Sequence, residues 1–353
     1  MCEIKIKLAA GTNVGLVRKN NEDNFIVNKD LCQNDWFIPD TEEDITLSKY
    51  GCVLAVADGM GGANAGEVAS AIAIDTVQKS FTPENLAKII TDDTDSPSET
   101  DIRDFLTKII KDADVNILNK SQEDSSTEGM GTTIVIAWLL KDKAYIAWCG
   151  DSRCYVFNSD AGISRLSKDH SFVQELVDQG KLDEENAFDY PYSNIITRCL
   201  GDPNQRSVPD FRTYKLKDND ILLLCSDGLC GLCRDEEIIQ VISNGLNDLN
   251  GLRDNLIDAA LSEGGYDNVT VALCQVCTNT EMAETDKVSN KTLKSHKRRF
   301  VKALPFIFLL LIVAGIYFYK QFPSVHPQDD KQVQITDTIS AAKQDSVIVP
   351  NDL

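Results

Sequence analysis

Between Thr132 and Asn158 three apolar runs follow one another with no helical stretch between them: "TTIVIAWLL" at 132–140, "KAYIAW" at 143–148 and "CYVFN" at 154–158. A fold that alternates strand and helix regularly cannot be written this way, so the runs argue against a parallel crossover sheet and for packed antiparallel sheets with helices outside. Further strand-like runs are "IKIKLA" at 4–9, "CVLAVA" at 52–57, "ILLLC" at 221–225 and "VTVALCQV" at 269–276.

Helical periodicity is clearest in the stripe Ile102, Phe105, Leu106, Ile109, Ile110, Ala113 and Ile117. A second helix is expected after the glycines at 59–62, with Val68, Ala69, Ile72 and Thr76 on one face. A third starts at Ser171, three residues before Gln174, and stops at Gly180. Two more are expected around 235–243 and 252–261, the last halted by Gly264 and Gly265.

A chain of 353 residues with 42% hydrophobic content can bury a large core in one domain with appendages. Its formal charge of -20 argues against nucleic acid as a partner, because phosphate backbones are held by basic faces. The spacing Cys230-x-x-Cys233 and Cys274-x-x-Cys277 suggests zinc. The second pair lies on a strand, however, where positions three apart face opposite sides, so buried, unreactive thiols are expected instead. No signal peptide is read at the start, and a reducing cytosol is the expected setting.

The globular domain is expected to span 1–277 and a polar, then basic, linker 278–302. Residues 303–319, "ALPFIFLLLIVAGIYFY", carry no charge and with their flanks approach the ~20 residues that cross a bilayer. The cluster Lys291, Lys294, Lys297, Arg298, Arg299 and Lys302 precedes the run. The positive-inside rule then places the large N-terminal part in the cytoplasm and an exported tail at 320–353. The expectation is a single-pass protein of the cell membrane, its basic cluster touching anionic lipid.

Four acids stand at the rims of apolar strands: Asp58 in "VLAVADGMGG", Asp151 in "YIAWCGD", Asp227 in "LLLCSDG" and Asp267 just before "NVTVAL". Each alone reads as a turn former or a helix cap. Together, at strand ends that a sheet can gather, they repel one another unless they take protons or share a cation. An all-oxygen set suits Mg²⁺ or Mn²⁺, and two such ions can turn a bridging water into hydroxide and clamp a phosphoryl oxygen. Arg18 in "GLVRKNNEDNF", with Glu22 and Asp23 close behind it, offers the planar fork that a phosphate needs, although in isolation it reads as a surface arginine paired with its own acidic neighbours.

The ordered set of Arg18 with Glu22-Asp23, Asp58-Gly59-Met60-Gly61-Gly62, Gly129-Met130-Gly131-Thr132-Thr133, Gly150-Asp151-Ser152-Arg153, Asp169-His170-Ser171, Ser226-Asp227-Gly228-Leu229 and Asp267-Asn268-Val269-Thr270 resembles the metal-dependent protein serine/threonine phosphatases of type 2C, in their bacterial form. The resemblance covers about residues 5–277 and implies an α+β fold, an αββα sandwich of two packed antiparallel sheets with outer helices. It implies hydrolysis of phosphoserine and phosphothreonine in proteins at a dinuclear Mn²⁺ or Mg²⁺ site, opposing a kinase. By the same resemblance, Asp58 bridges the metals, Gly59 offers its carbonyl, Asp227 and Asp267 complete the first metal, and Glu22 and Asp23 act directly or through water. Asp151 helps hold a third ion, Arg18 grips the phosphate, and residues 171–197 form a mobile flap. Met60 stands where animal members carry a histidine tied to protonation of the leaving group. The general acid is thus left open between His170, a structural role for that residue, and a metal-bound water.

Three rivals are weaker. A dinucleotide site would need glycine at Asn64, and a serine esterase built on "GDS" at 150–152 has only His170 within the domain to serve it. A catalytically weak, membrane-anchored scaffold that binds phosphoproteins would be favoured by loss of an acid, and none is lost.

Overall fold

The computed structural model describes residues 3–33, 36, 44–61, 65–91, 97–204 and 207–278. All of them belong to the unit Met1–Val288. The expected linker beyond 278, the apolar run 303–319, the tail and Gly62 lie outside the described residues. Among the described residues no helix is long and apolar enough to cross a membrane.

The strands in chain order are β1 (Ile4–Asn13), β2 (Asp23–Asn28), β3 (Ile45–Thr46), β4 (Cys52–Met60), β5 (Gly131–Thr132), β6 (Ile134–Leu140), β7 (Lys143–Cys149), β8 (Arg153–Asn158), β9 (Gly162–Arg165), β10 (Asp210–Lys215), β11 (Ile221–Cys225) and β12 (Val269–Thr278). The helices are α1 (Gly66–Ser80), α2 (Pro83–Ile89), α3 (Glu99–Glu123), α4 (Phe172–Asp178), α5 (Glu184–Ala187), α6 (Asp227–Cys230), α7 (Asp235–Asn244) and α8 (Leu249–Ser262). One sheet runs β3-β1-β12-β11-β8-β9 and the other β10-β7-β6-β4-β2, with β5 paired to the end of β4. Every pairing is antiparallel, as the succession of runs without helices between them required.

Three apolar cores separate four layers. Cys52, Leu54 and Val56 of β4 point between the sheets, where they meet Ile6, Ile146, Leu224 and Cys274. The alternate residues Val53, Ala55 and Ala57 point outward to Ala69 and Ala73 of α1 and Ile110 of α3. On the opposite outer face Leu223 and Val271 pack under Leu229, Ile238 and Leu256 of α6, α7 and α8. A strand buried on both faces has no need of polar alternation, which is why "CVLAVA" reads as one continuous apolar run. The layers are helix, sheet, sheet, helix.

Two boundaries differ from expectation. The run 132–140 is split at Thr133, and the buried side of α1 centres on Ala69, Ala73, Thr76 and Val77, with Val68 and Ile72 on its half-buried flank. Among the described residues the cysteines are free thiols. Cys274 sits between the sheets and Cys230 and Cys233 under the outer helices, so the two pairs lie in different cores and cannot share an ion.

Candidate active site

The ends of strands from both sheets meet at one rim, and Asp23 ties the sheets together there. Its register partner in the second sheet is Asp58. Its Oδ2, however, accepts hydrogen bonds from Ser226 Oγ and Thr270 Oγ1 of the first sheet, each at 2.7 Å. Thr133, the residue that splits the long run, accepts from the Asp58 N–H at 3.1 Å and donates its own N–H to the Asp58 carbonyl at 2.8 Å. The break between β5 and β6 therefore fixes the backbone of Asp58. Asp227 opens α6 directly after β11, and Asp151 stands in the turn from β7 to β8.

Two glycines make this convergence sterically possible. A Cβ on Gly59 would stand 2.2 Å from the Gly66 carbonyl oxygen and 2.5 Å from that of Glu22, and one on Gly228 would stand 1.8 Å from the Asn268 carbonyl oxygen. Any side chain at either position would force the acidic rim apart.

Asp23 and Asp151 are buried and Asp58 and Asp227 half-buried beside them, and all four carboxyls are raised. Burial is the main cause that pushes the Asp23 carboxyl up to about 7; the hydroxyls of Thr270 and Ser226 pull it down, and the charges of Asp227 and Asp267 push it up. Burial, then the charges of Asp227, Asp23 and Asp151, holds Asp58 well above the usual carboxylate range. Asp151 is raised likewise, by burial and then by Asp227 and Asp169. Asp227 is raised too, mainly by burial, so the Asp58 and Asp227 carboxyls oppose one another's ionisation. Glu22 is raised by burial and by neighbouring Glu67.

These residues suit a divalent cation, although among the described residues no three His, Cys, Asp or Glu side chains are drawn together tightly enough to enclose one as they stand. Asp151 Oδ1 is buried without a hydrogen-bond partner, and the mutual repulsion of Asp58 and Asp227 is what a cation would relieve. The available donors are all oxygens, from Asp58, Asp151, Asp227, Asp267, Glu22, Asp23 and the Gly59 carbonyl. That set fits Mg²⁺ or Mn²⁺ better than zinc.

Arg18 pairs across the fold and not with its sequence neighbours: Nη2 donates to Asp267 Oδ2 at 2.7 Å, and both side chains are exposed to solvent. This hydrogen bond is the main cause that raises the guanidinium further above its ordinary value. Asp151, Asp227 and Asp267 line one end of a cleft of about 740 Å³, whose other walls include Arg165, Arg234 and Phe188.

His170 does not reach the acids. Its Nδ1 accepts the Gly150 N–H at 3.1 Å and its Nε2 lies 3.1 Å from Asp210 Oδ2, so the proton sits on Nε2. The ring lines a separate hollow of about 240 Å³ with Arg198 and Lys168, and burial lowers its pKa. It holds Gly150, and through it the turn that carries Asp151. The flap expected at 171–197 is closed at its base by Phe172 N–H to the Ile195 carbonyl at 2.8 Å and Thr197 N–H to the His170 carbonyl at 2.7 Å.

Asn268 lies within the Asp267-Asn268-Val269-Thr270 motif, and the sequence alone assigns it no role. Its Nδ2 donates to the Val14 and Asn20 carbonyls at 2.9 and 3.0 Å, and its Oδ1 accepts the Glu22 N–H at 2.8 Å. One side chain thus holds both ends of the loop that presents Arg18. Ser226 and Thr270 were passed over in the same way. The available signal was a run of buried polar residues, Ser226, Asn268 and Thr270, inside apolar strand ends, which need partners wherever they are buried.

Comparison with known proteins agrees with this geometry. The family model for protein phosphatase 2C matches residues 25–263. The serine/threonine phosphatase stp of Listeria innocua is 33% identical over 266 residues, covering 75% of this chain and 93% of that protein. The solved structure of the serine/threonine phosphatase Stp1 from Staphylococcus aureus is 32% identical with a TM-score of 0.60, covering 78% of this chain and 95% of that one. The catalytic domain of the serine threonine protein phosphatase PstP, solved in complex with two manganese ions, is 30% identical with a TM-score of 0.59, covering 78% of this chain and 99% of that one. With its four layers and its rim of acids, this chain belongs to the protein phosphatase 2C family.

Proposed function

We infer that this chain is a protein serine/threonine phosphatase that depends on Mn²⁺ or Mg²⁺. The observation that carries the reading is the set of four aspartates at one rim, Asp23 and Asp151 buried and Asp58 and Asp227 half-buried, beside an exposed arginine. Its substrates are proteins phosphorylated on serine or threonine, the products of kinases whose action it reverses.

Asp58, Asp227, Asp267 and the Gly59 carbonyl are assigned to two ions, with Glu22 and Asp23 contributing directly or through water and Asp151 to a third. When bound, the ions supply Lewis acidity toward water and the phosphoryl group. The chain's own residues do the rest. Arg18 leaves a solvent-exposed pair worth about 0–1 kcal/mol and takes two phosphoryl oxygens with its planar fork. Asn268 keeps the Arg18 loop against the rim, and Ser226 and Thr270 fix Asp23. The flap covers the cleft beside the leaving group, and His170, with both ring nitrogens engaged, does not protonate it.

Arg18→Ala tests the phosphate assignment. KM for a phosphothreonine peptide should rise about tenfold or more while the metal concentration needed for half activity stays put. Unchanged peptide kinetics would remove Arg18 from the site.

Residues 303–319 are assigned to a single membrane span with the catalytic domain on the cytoplasmic side, on the strength of the uncharged run and its basic flank. A reporter active only outside the cell should work when fused after Leu353 and stay silent before Met1. The reverse pattern, or full-length protein free of the membrane fraction, contradicts the span.

A further inference from the structure

Three arginines, Arg153, Arg165 and Arg234, stand among the acids that line the cleft of Asp151, Asp227 and Asp267, and they differ in how firmly they are held. Arg153 is fully engaged: Nε and Nη2 both donate to Asp169, and Nη1 donates to the Tyr155 hydroxyl at 2.7 Å. Arg234 is held instead by the flap, and Arg165 by the flap together with a longer pair to Asp169 at 3.8 Å. Arg234 Nη2 meets Asp189 Oδ2 at 2.5 Å, with its guanidinium 4.3 Å above the Phe188 ring. Arg165 Nη2 meets Glu184 Oε1 at 3.4 Å and donates to Gln174 Oε1 at 3.0 Å.

The flap carboxylates are exposed, Glu184 at 77% and Asp189 at 69% of the side chain. Ion pairs to such exposed carboxylates contribute little, so they hold their arginines only until a better anion arrives. A phosphate, with three acceptor oxygens, or a carboxylate fixed in place by an already bound peptide is such an anion. The cleft's volume is within the roughly 300–1,000 Å³ of ligand sites, and its one end is the site that takes the phosphorylated residue.

We propose that Arg234, with Arg165 beside it, forms a subsite that selects phosphoproteins carrying an anionic side chain, carboxylate or second phosphate, close to the phosphoserine or phosphothreonine that is hydrolysed. Asp189 and Glu184 fill that subsite as internal substitutes until substrate displaces them. The flap is then a competitor as well as a cover, and its release from Arg234 is coupled to the arrival of the correct peptide. The subsite rests on the phosphatase reading and goes beyond it by naming what the enzyme selects.

The test uses the full chain in Mn²⁺ with three series of phosphothreonine peptides, bearing glutamine, aspartate or phosphoserine at each flanking position in turn. The best aspartate or phosphoserine peptide should exceed its glutamine counterpart about five- to tenfold in kcat/KM, mostly through KM. Arg234→Gln should bring that ratio to about one, and Asp189→Asn should raise it, since the competitor is gone. Arg103→Gln, at an exposed pair on α3, should leave the ratio as it is. The aspartate and phosphoserine series separate the two sources of charge. If the glutamine peptides are hydrolysed and the ratio is one in the unaltered protein, or persists in Arg234→Gln, the subsite is wrong and the phosphatase reading stands. If no peptide is hydrolysed in any series, the phosphatase reading falls and the subsite with it.

Discussion

Asp58→Asn should abolish hydrolysis, by about 10³-fold or more, and at the same time make the metal-free protein more stable at pH 8. Both effects come from one side chain. The Asp58 carboxyl is raised far above its unfolded value by burial and by the charges of Asp227, Asp23 and Asp151. A carboxyl raised in the folded state contributes stability that is complete below the unfolded pKa near 4 and is lost as pH climbs toward the folded pKa. Asparagine keeps the shape and the donor of the protonated acid and does not titrate, so the variant escapes that loss. Thermal melting in chelator should therefore show the variant above the unaltered protein at pH 8, with the gap closing toward pH 4. The added stability that Mn²⁺ gives the unaltered protein should shrink in the variant. A variant that melts lower at pH 8 in chelator would mean that Asp58 is not held under the strain of its neighbours' charge.

Asn268→Ala should do damage of another kind. It removes a buried side chain and its three hydrogen bonds, to the Val14 and Asn20 carbonyls and from the Glu22 N–H. Each lost hydrogen bond costs about 0.5–1.5 kcal/mol net, so the whole loss should be about 2–4 kcal/mol. For a domain of this size the melting temperature should fall roughly 5–10 °C. Because the same side chain holds the Arg18 loop, kcat/KM should fall about 10- to 100-fold even at temperatures where the variant is fully folded. Full activity in a folded variant would show that the loop does not need this clamp.

Much of this was legible in the chain, and the reasons are specific. β4, β6, β7, β11 and β12 are buried on both faces or in sheet centres, so their apolar runs are continuous and bounded by charge. β2, "DNFIVN", and the edge strand β10, "DFRTYK", are half polar because each borders solvent or another layer, and neither gave a strand signal. The helix α2 was missed although Thr82 caps it and Pro83 stands in its first turn. The acids were legible because each interrupts an apolar run. What could not be read was pairing across the sheets: Asp23 with Ser226 and Thr270 joins residues 203 and 247 positions apart, and Arg18 with Asp267 joins residues 249 apart. Local spacing favoured Arg18 with Glu22, and only the packing of β1 against β12 brings Asp267 to it.

The account stands most directly on metal-dependent hydrolysis by the chain itself. The purified protein should release phosphate from a phosphothreonine peptide in Mn²⁺, lose that activity completely in excess chelator and recover it when Mn²⁺ or Mg²⁺ is restored. Undiminished hydrolysis in chelator by protein shown to be free of metal would contradict the account, because the acids at the rim would then act without the cation their burial calls for.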